Sequence, residues 1–210
     1  MERGRPRTFD KDEALDAALA VFWRNGYQGA SLSDLTDATG LSKPSLYAAF
    51  GNKEHLYLAA LQRYRQQQLI KHADALAAEP DLRTALRRFL QSVATMLTAA
   101  ELPGGCMVVN TSVACDLATL PKRIVAAIGE TVNASSFGLL KDRLAAELKA
   151  RHLPEGTPVE QWADYFTSVM CGMAVLAKMG VSRERLFETI EHALSVLPVP
   201  VSAPARRRAR

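Results

Sequence analysis

LSKPSLYAAFGNKE, residues 41–54, is the stretch on which the fold turns. Ser42 suits a helix N-cap, and Pro44 falls in the first turn, where its missing N–H costs nothing. Gly51 and Asn52 then end this helix and cap the next, which starts at Lys53. The helix between them is about two turns long and nearly uncharged. Lys43 stands at its front, and Ser45 and Tyr47 are its only other polar side chains. Leu46 and Phe50, four apart, can face a core, leaving Lys43, Pro44, Ser45, Tyr47 and Ala48 towards the outside. With the preceding short helix and the ATGLS turn, this has the lengths of a helix-turn-helix, whose second helix must be slim enough to enter a major groove. Helix lengths alone leave a plain connector in a helical protein equally open.

Before this stretch, Asp10 and Glu13 have the spacing of a capping box. Leu15, Ala18, Leu19 and Phe22 follow at helical intervals, and Gly26 closes the helix. Ser31 or Ser33 caps a second helix ending at Gly40. After it, a helix is expected from Lys53 to about residue 78. Another opens at Pro80 and Asp81 and carries Leu82, Leu86, Phe89, Leu90, Val93 and Leu97. LPGGCM at 102–107 marks a break, followed by a helix over about 106–117. Pro121 starts a long helix to about residue 151, and Pro/Gly-rich LPEGTP separates it from helices at about 159–179 and 183–197. Ser182 caps the last of these. No stretch alternates with period two for long enough to be a strand. The chain reads as all-α, with about nine helices and a three-helix helix-turn-helix domain at the N-terminus.

The totals agree. Of 210 residues, 48% are apolar and 23% charged, which suits a soluble helical protein with a real core. The net charge of +4 comes entirely from Arg206, Arg207, Arg208 and Arg210, so pI says little about the folded body. Cys106, Cys115 and Cys171 form no disulfide framework, there is no secretory pattern, and the expected location is the cytoplasm. His55, His72, His152 and His192 are scattered without metal-ligand spacing, and no nucleophile elbow, P-loop or dinucleotide fingerprint occurs. No enzyme activity, metal or cofactor is therefore expected.

From Phe9 to Tyr57 the chain resembles the DNA-binding domain of the TetR/AcrR family of bacterial transcriptional regulators. The resemblance rests on Ala18, Phe22, Gly26, Tyr27, Ser31, Leu35, Gly40, Leu41, Ser42, Ser45, Leu46, Tyr47, Phe50, Lys53 and Leu56, all in register. Thr36, Thr39 and the pair Ala48-Ala49 depart from it, so an operator sequence cannot be borrowed from a relative. The resemblance implies a basic arm over 1–8, a DNA-binding domain over 9–52, a helical effector-binding and dimerisation domain over 53–197, and a disordered basic tail over 198–210.

It also implies roles. Tyr47, Lys53 and the helix starts at Ser31 and Ser33 would meet phosphates, and Lys43 and Ser45 would read bases, with Pro44 or Ala48 against a thymine methyl. Arg3, Arg5 and Arg7 would enter a minor groove or add only counterion release. Phe89, Met96, Cys106, Asn110, Trp162, Phe166 and Met170 would line an effector pocket. Phe166, Met170, Met173, Ala174, Leu186, Ile190, Ala193 and Leu194 would form the seam of a homodimer on a pseudo-palindromic operator, with Gly172 allowing close approach.

GGCMVVNTSVACDL, residues 104–117, further resembles a segment of oxidant- and electrophile-sensing repressors. In that reading Cys106, in the first turn of its helix, would be a reactive thiol with Lys178 nearby. As a plain core residue, Cys106 would have no such role. The expected function is a ligand-released repressor. A Cys106-based redox repressor and a non-specific architectural DNA binder are the alternatives.

Overall fold

The computed structural model describes residues 9–198. The arginine arm (Arg3, Arg5, Arg7) and the tail after Pro198 lie outside them. Among the described residues there are nine α-helical stretches and no strand. They are α1 (Lys11–Gly29), α2 (Leu32–Thr39), α3 (Lys43–Phe50), α4 (53–77), α5 (Leu82–Leu97), α6 (Met107–Val113), α7 (122–149), α8 (Val159–Lys178) and α9 (Arg183–Ser195). A 3-10 turn, Leu117–Thr119, precedes α7.

Six of the nine starts are fixed by a side-chain cap. Asp10 caps α1 by accepting from the N–H groups of Asp12 and Glu13. Ser31, not Ser33, caps α2, and Asp34 completes the reciprocal box. Ser42, Asn52, Asp81 and Ser182 do the same for α3, α4, α5 and α9. At Gly26 the backbone of α1 leaves helical geometry with φ +69°, a conformation that disfavours any Cβ. The helix expected over 106–117 is shorter, because it is finished by Val113.

Two long helices each contain a π-turn. In α4, Arg65–Leu69 joins Lys53–Tyr64 to Ile70–Ala77; in α7, Asn133–Phe137 joins Lys122–Val132 to Gly138–Lys149. Gly138 makes the second one possible. A Cβ there would lie 2.6 Å from the carbonyl oxygen of Asn133, the very group its N–H bonds.

The core has two parts. One gathers Ala18, Leu19, Phe22 and Trp23 of α1 with Leu35, Leu46 and the first half of α4, but it also takes in Met107 and Val108 of α6 and Leu120, Ile124 and Ile128 around the start of α7. It therefore does not stop at residue 52. The other joins α5 to α8, α9 and the later parts of α4 and α7. Arg143 of α7 ties the end of α4 into it, donating to the carbonyls of Leu76 (2.6 Å), Glu79 (2.8 Å) and Pro80 (3.0 Å), while buried Glu147 accepts from its Nε at 2.8 Å. A cation on the last carbonyls satisfies groups that a helix end leaves unpaired.

Candidate nucleic-acid interface and regulatory cavity

α3 is held from behind and open in front. Leu46 is fully buried and Phe50 half-buried, whereas Lys43, Pro44, Ser45 and Ala48 are exposed and Tyr47 is half-buried. The Lys43 ammonium lies 5.9 Å from the Tyr47 ring. Ser45 shares a 2.9 Å hydroxyl contact with the cap residue Ser42. Ser31 and Ser33 are exposed at the start of α2, although Ser33 already has a long contact to Asp37 (3.4 Å). Lys53 sits 4.7 Å over the Tyr27 ring. Burial lowers the Lys53 pKa, with the nearby Asp34 carboxylate opposing. Burial raises that of Tyr27, helped by Glu54. The described candidates for DNA contact thus lie, exposed or half-buried, along α3 and at the starts of α2 and α4.

Behind this surface lies an apolar cavity of about 60 Å³. That is room for about two waters at liquid density. Leu69, Val93, Met96, Val108, Val132 and Met170 are among its apolar lining residues, with His72, Ser135, Ser136, Cys106 and Cys171 supplying the polar and thiol groups. His72 pairs through Nδ1 with the Ser92 hydroxyl at 2.9 Å. Of the expected lining residues, Met96, Cys106 and Met170 are there. Phe89 and Phe166 are instead fully buried in the packed core. Trp162 is in a ring cluster with Tyr165 and Phe166. Asn110 is buried too, but it is occupied: its amide donates to the carbonyls of Trp23 (2.8 Å) and Gly104 (3.3 Å).

Those bonds belong to a junction between cavity and DNA-facing helices. The Trp23 indole N–H donates to the Gly105 carbonyl at 3.0 Å, and its ring meets Tyr64 edge-on at 4.7 Å. Tyr64 in turn donates to the Cys106 sulfur at 3.3 Å, and Tyr57 donates to the Thr111 hydroxyl at 3.0 Å. Lys178 lies beside Gly105, but its ammonium donates to the Arg24 carbonyl at 2.8 Å. Residues 104–106 thus contact α1, α4 and α8 within one short loop. Cys106 is the N-cap residue of α6, one position before its first turn.

Residues 14–60 match the profile of bacterial regulatory proteins of the tetR family. The chain is 32% identical over 197 residues to the HTH-type transcriptional repressor ComR of Escherichia coli (strain K12), covering 93% of this chain and 92% of that protein. It is 28% identical over 186 residues to the HTH-type transcriptional repressor BdcR of the same strain, covering 89% and 88%. A cysteine-substituted form of the TetR family transcriptional regulator CifR, solved with 26-base-pair operator DNA, superposes with a TM-score of 0.85 at 36% identity, covering 92% of this chain and all of that one.

The chain belongs to the TetR family. It is a DNA-binding transcriptional regulator with the N-terminal helix-turn-helix and C-terminal helical domain of that fold. No helix among the described residues is long and apolar enough to cross a membrane.

The expected dimer seam needs correction. Phe166, Met173, Ala174, Leu186, Ile190, Ala193 and Leu194 are buried in this chain's own core, and Met170 lines the cavity. Tyr165, Val175, Leu176 and Met179 are the large apolar side chains that α8 and its C-cap leave exposed, with Gly172 on the same helix open around its Cα. Helical periodicity marks which face is buried but not whether the chain itself or a partner buries it. Sequence reasoning also missed Trp23, Gly105 and the α4 tyrosines. Their signal was weak: a Trp and two Tyr with polar tips, in helices otherwise read only for their aliphatic stripe.

Proposed function

We propose that this regulator is a repressor that binds a pseudo-palindromic operator as a homodimer through α2 and α3 and is released when a small molecule enters the cavity. The observation that carries the reading is the junction at 104–106. Cys106 lines the cavity, while the neighbouring Gly105 carbonyl holds Trp23 of α1. A ligand that enlarges a cavity of about 60 Å³ has to move that wall, and with it the helix that supports α2 and α3. The repressor names of ComR and BdcR and the operator DNA in the CifR structure support the direction of control. The exposed apolar side chains of α8 support a partner on that face.

In this proposal Lys43 and Ser45 contact base edges, Pro44 or Ala48 packs on a thymine methyl, and Ser31, Tyr47 and Lys53 hold phosphates. The test is a footprint on the DNA upstream of the protein's own gene, at physiological salt with excess competitor. A short protected pseudo-palindrome is expected. Binding without any sequence preference would instead make the protein an architectural DNA binder.

A further inference from the structure

We infer that Lys122 and Arg123, at the start of α7, form a second phosphate-binding surface outside the helix-turn-helix. Their ligand is the operator's phosphodiester backbone. This rests on α2 and α3 facing DNA, and it adds a contact from the effector domain.

The start of α7 is fastened beside both helix-turn-helix phosphate sites. The 3-10 turn before it is tied to the end of α1, three residues before the α2 cap Ser31, because the Gln28 amide donates to the Thr119 hydroxyl at 2.6 Å. Four residues on, Arg123 Nε lies 3.9 Å from the carboxylate of Glu54, in the first turn of α4. Leu120 and Ile124 are buried in the same core as Leu35 and Leu46, which anchors the segment from behind. Residues 119–123 therefore touch the two places, before Ser31 and beside Lys53, where helix N-termini would meet phosphates.

The charges at this spot are suited to DNA. Lys122 and Arg123 are both exposed, with 70% of the Arg123 side chain in solvent. The Arg123–Glu54 pair is long and solvated, so it holds the guanidinium weakly. Lys122 makes no ion pair among the described residues. The acids nearby are Glu54, Asp116 and, beyond Lys53, Asp34. Asp116 spends an oxygen on the Ala118 N–H, and Asp34 is engaged by Ser31. All three carboxylates keep their charge, but Glu54 is the one that pairs with Arg123, so it is the acid that competes with a phosphate for the guanidinium.

A DNA contact here has two effects that a purely structural ion pair would not produce. Removing the cations should lower the number of counterions released, and removing Glu54 should strengthen binding. The probe is sheared duplex DNA of mixed sequence, titrated with the full chain across a salt series. Taking away one phosphate-binding cation is expected to reduce the slope of log K against log salt by about 1 per subunit. Lys122→Ala with Arg123→Ala should therefore flatten the slope, Arg123→Lys should largely retain it, and Glu54→Gln should tighten binding several-fold at low salt. Wild-type slope in the double variant, or no gain from Glu54→Gln, overturns the inference. A wild-type protein with no salt-dependent binding at all would overturn the DNA-facing reading itself, a separate result.

Discussion

α3 has eight residues and one fully buried side chain, Leu46, whereas α5 has sixteen residues and buries nine. α3 is defined by its ends, where Ser42 accepts from the Ser45 N–H and the Gly51 N–H returns to the Tyr47 carbonyl at 2.8 Å. α5 would be fixed by packing even with poor ends. The difference follows from what each helix faces. A surface meant for a DNA groove must keep its outer side chains small and free, so its geometry has to be set by caps and by the helices behind. A cavity wall is shaped by packing, and small losses there change the space itself.

That contrast can be broken by experiment, beginning with the largest effect. Phe89→Ala in α5 removes a fully buried ring and is expected to cost about 3–5 kcal/mol in denaturant unfolding. A cost under about 1 kcal/mol would mean that α5 is not held by its packing. Ser42→Ala in α3 should cost about 1 kcal/mol. Its signature should be local: hydrogen exchange is expected to speed up across α3 while α5 stays protected.

The smallest effect concerns pH. The Asp81 carboxylate that caps α5 is held below its ordinary range, chiefly by its hydrogen bonds to Thr84. A lowered carboxyl pKa stabilises the fold above the ordinary value and loses that contribution as pH falls through the lowered one. The α5 cap should therefore weaken below about pH 4, while the uncharged Ser42 cap should not. Thermal unfolding of Asp81→Asn should show a shallower acid limb than wild type. An identical acid limb would mean that the charge on Asp81 does not stabilise the cap.

The helices were legible because their signals are local. Ser42, Pro44, Gly51 and Asn52 announce a short helix and its boundaries without reference to anything distant. The cavity was not, because it depends on pairings far apart in the chain. Asn110 looks like a pocket residue in a helix pattern, yet its amide is consumed by the carbonyl of Trp23, 87 positions earlier. Leu186 and Ile190 have the spacing of a seam, but α5 and α8 already cover them. The first core likewise draws on α6 and α7 as well as on α1 to α4, which no local spacing announces.

The π-turn of α7 shows itself in the spacing of its inward residues, Ile124, Ile128, Thr131, Ser136, Leu140, Leu144 and Glu147. Every step is three or four except the one from Thr131 to Ser136, which is five. The two halves of the helix therefore run in different reading frames, joined at Gly138. Deleting one residue between 132 and 135 would turn that step of five into a step of four, restoring a regular helix with both halves still facing the core. Leu140 and Leu144 would keep their place in the core, and Arg143 its place at the end of α4. Over evolutionary time α7 should tolerate the loss of one residue here, whereas a deletion elsewhere in the helix would rotate one half against the other by about 100°.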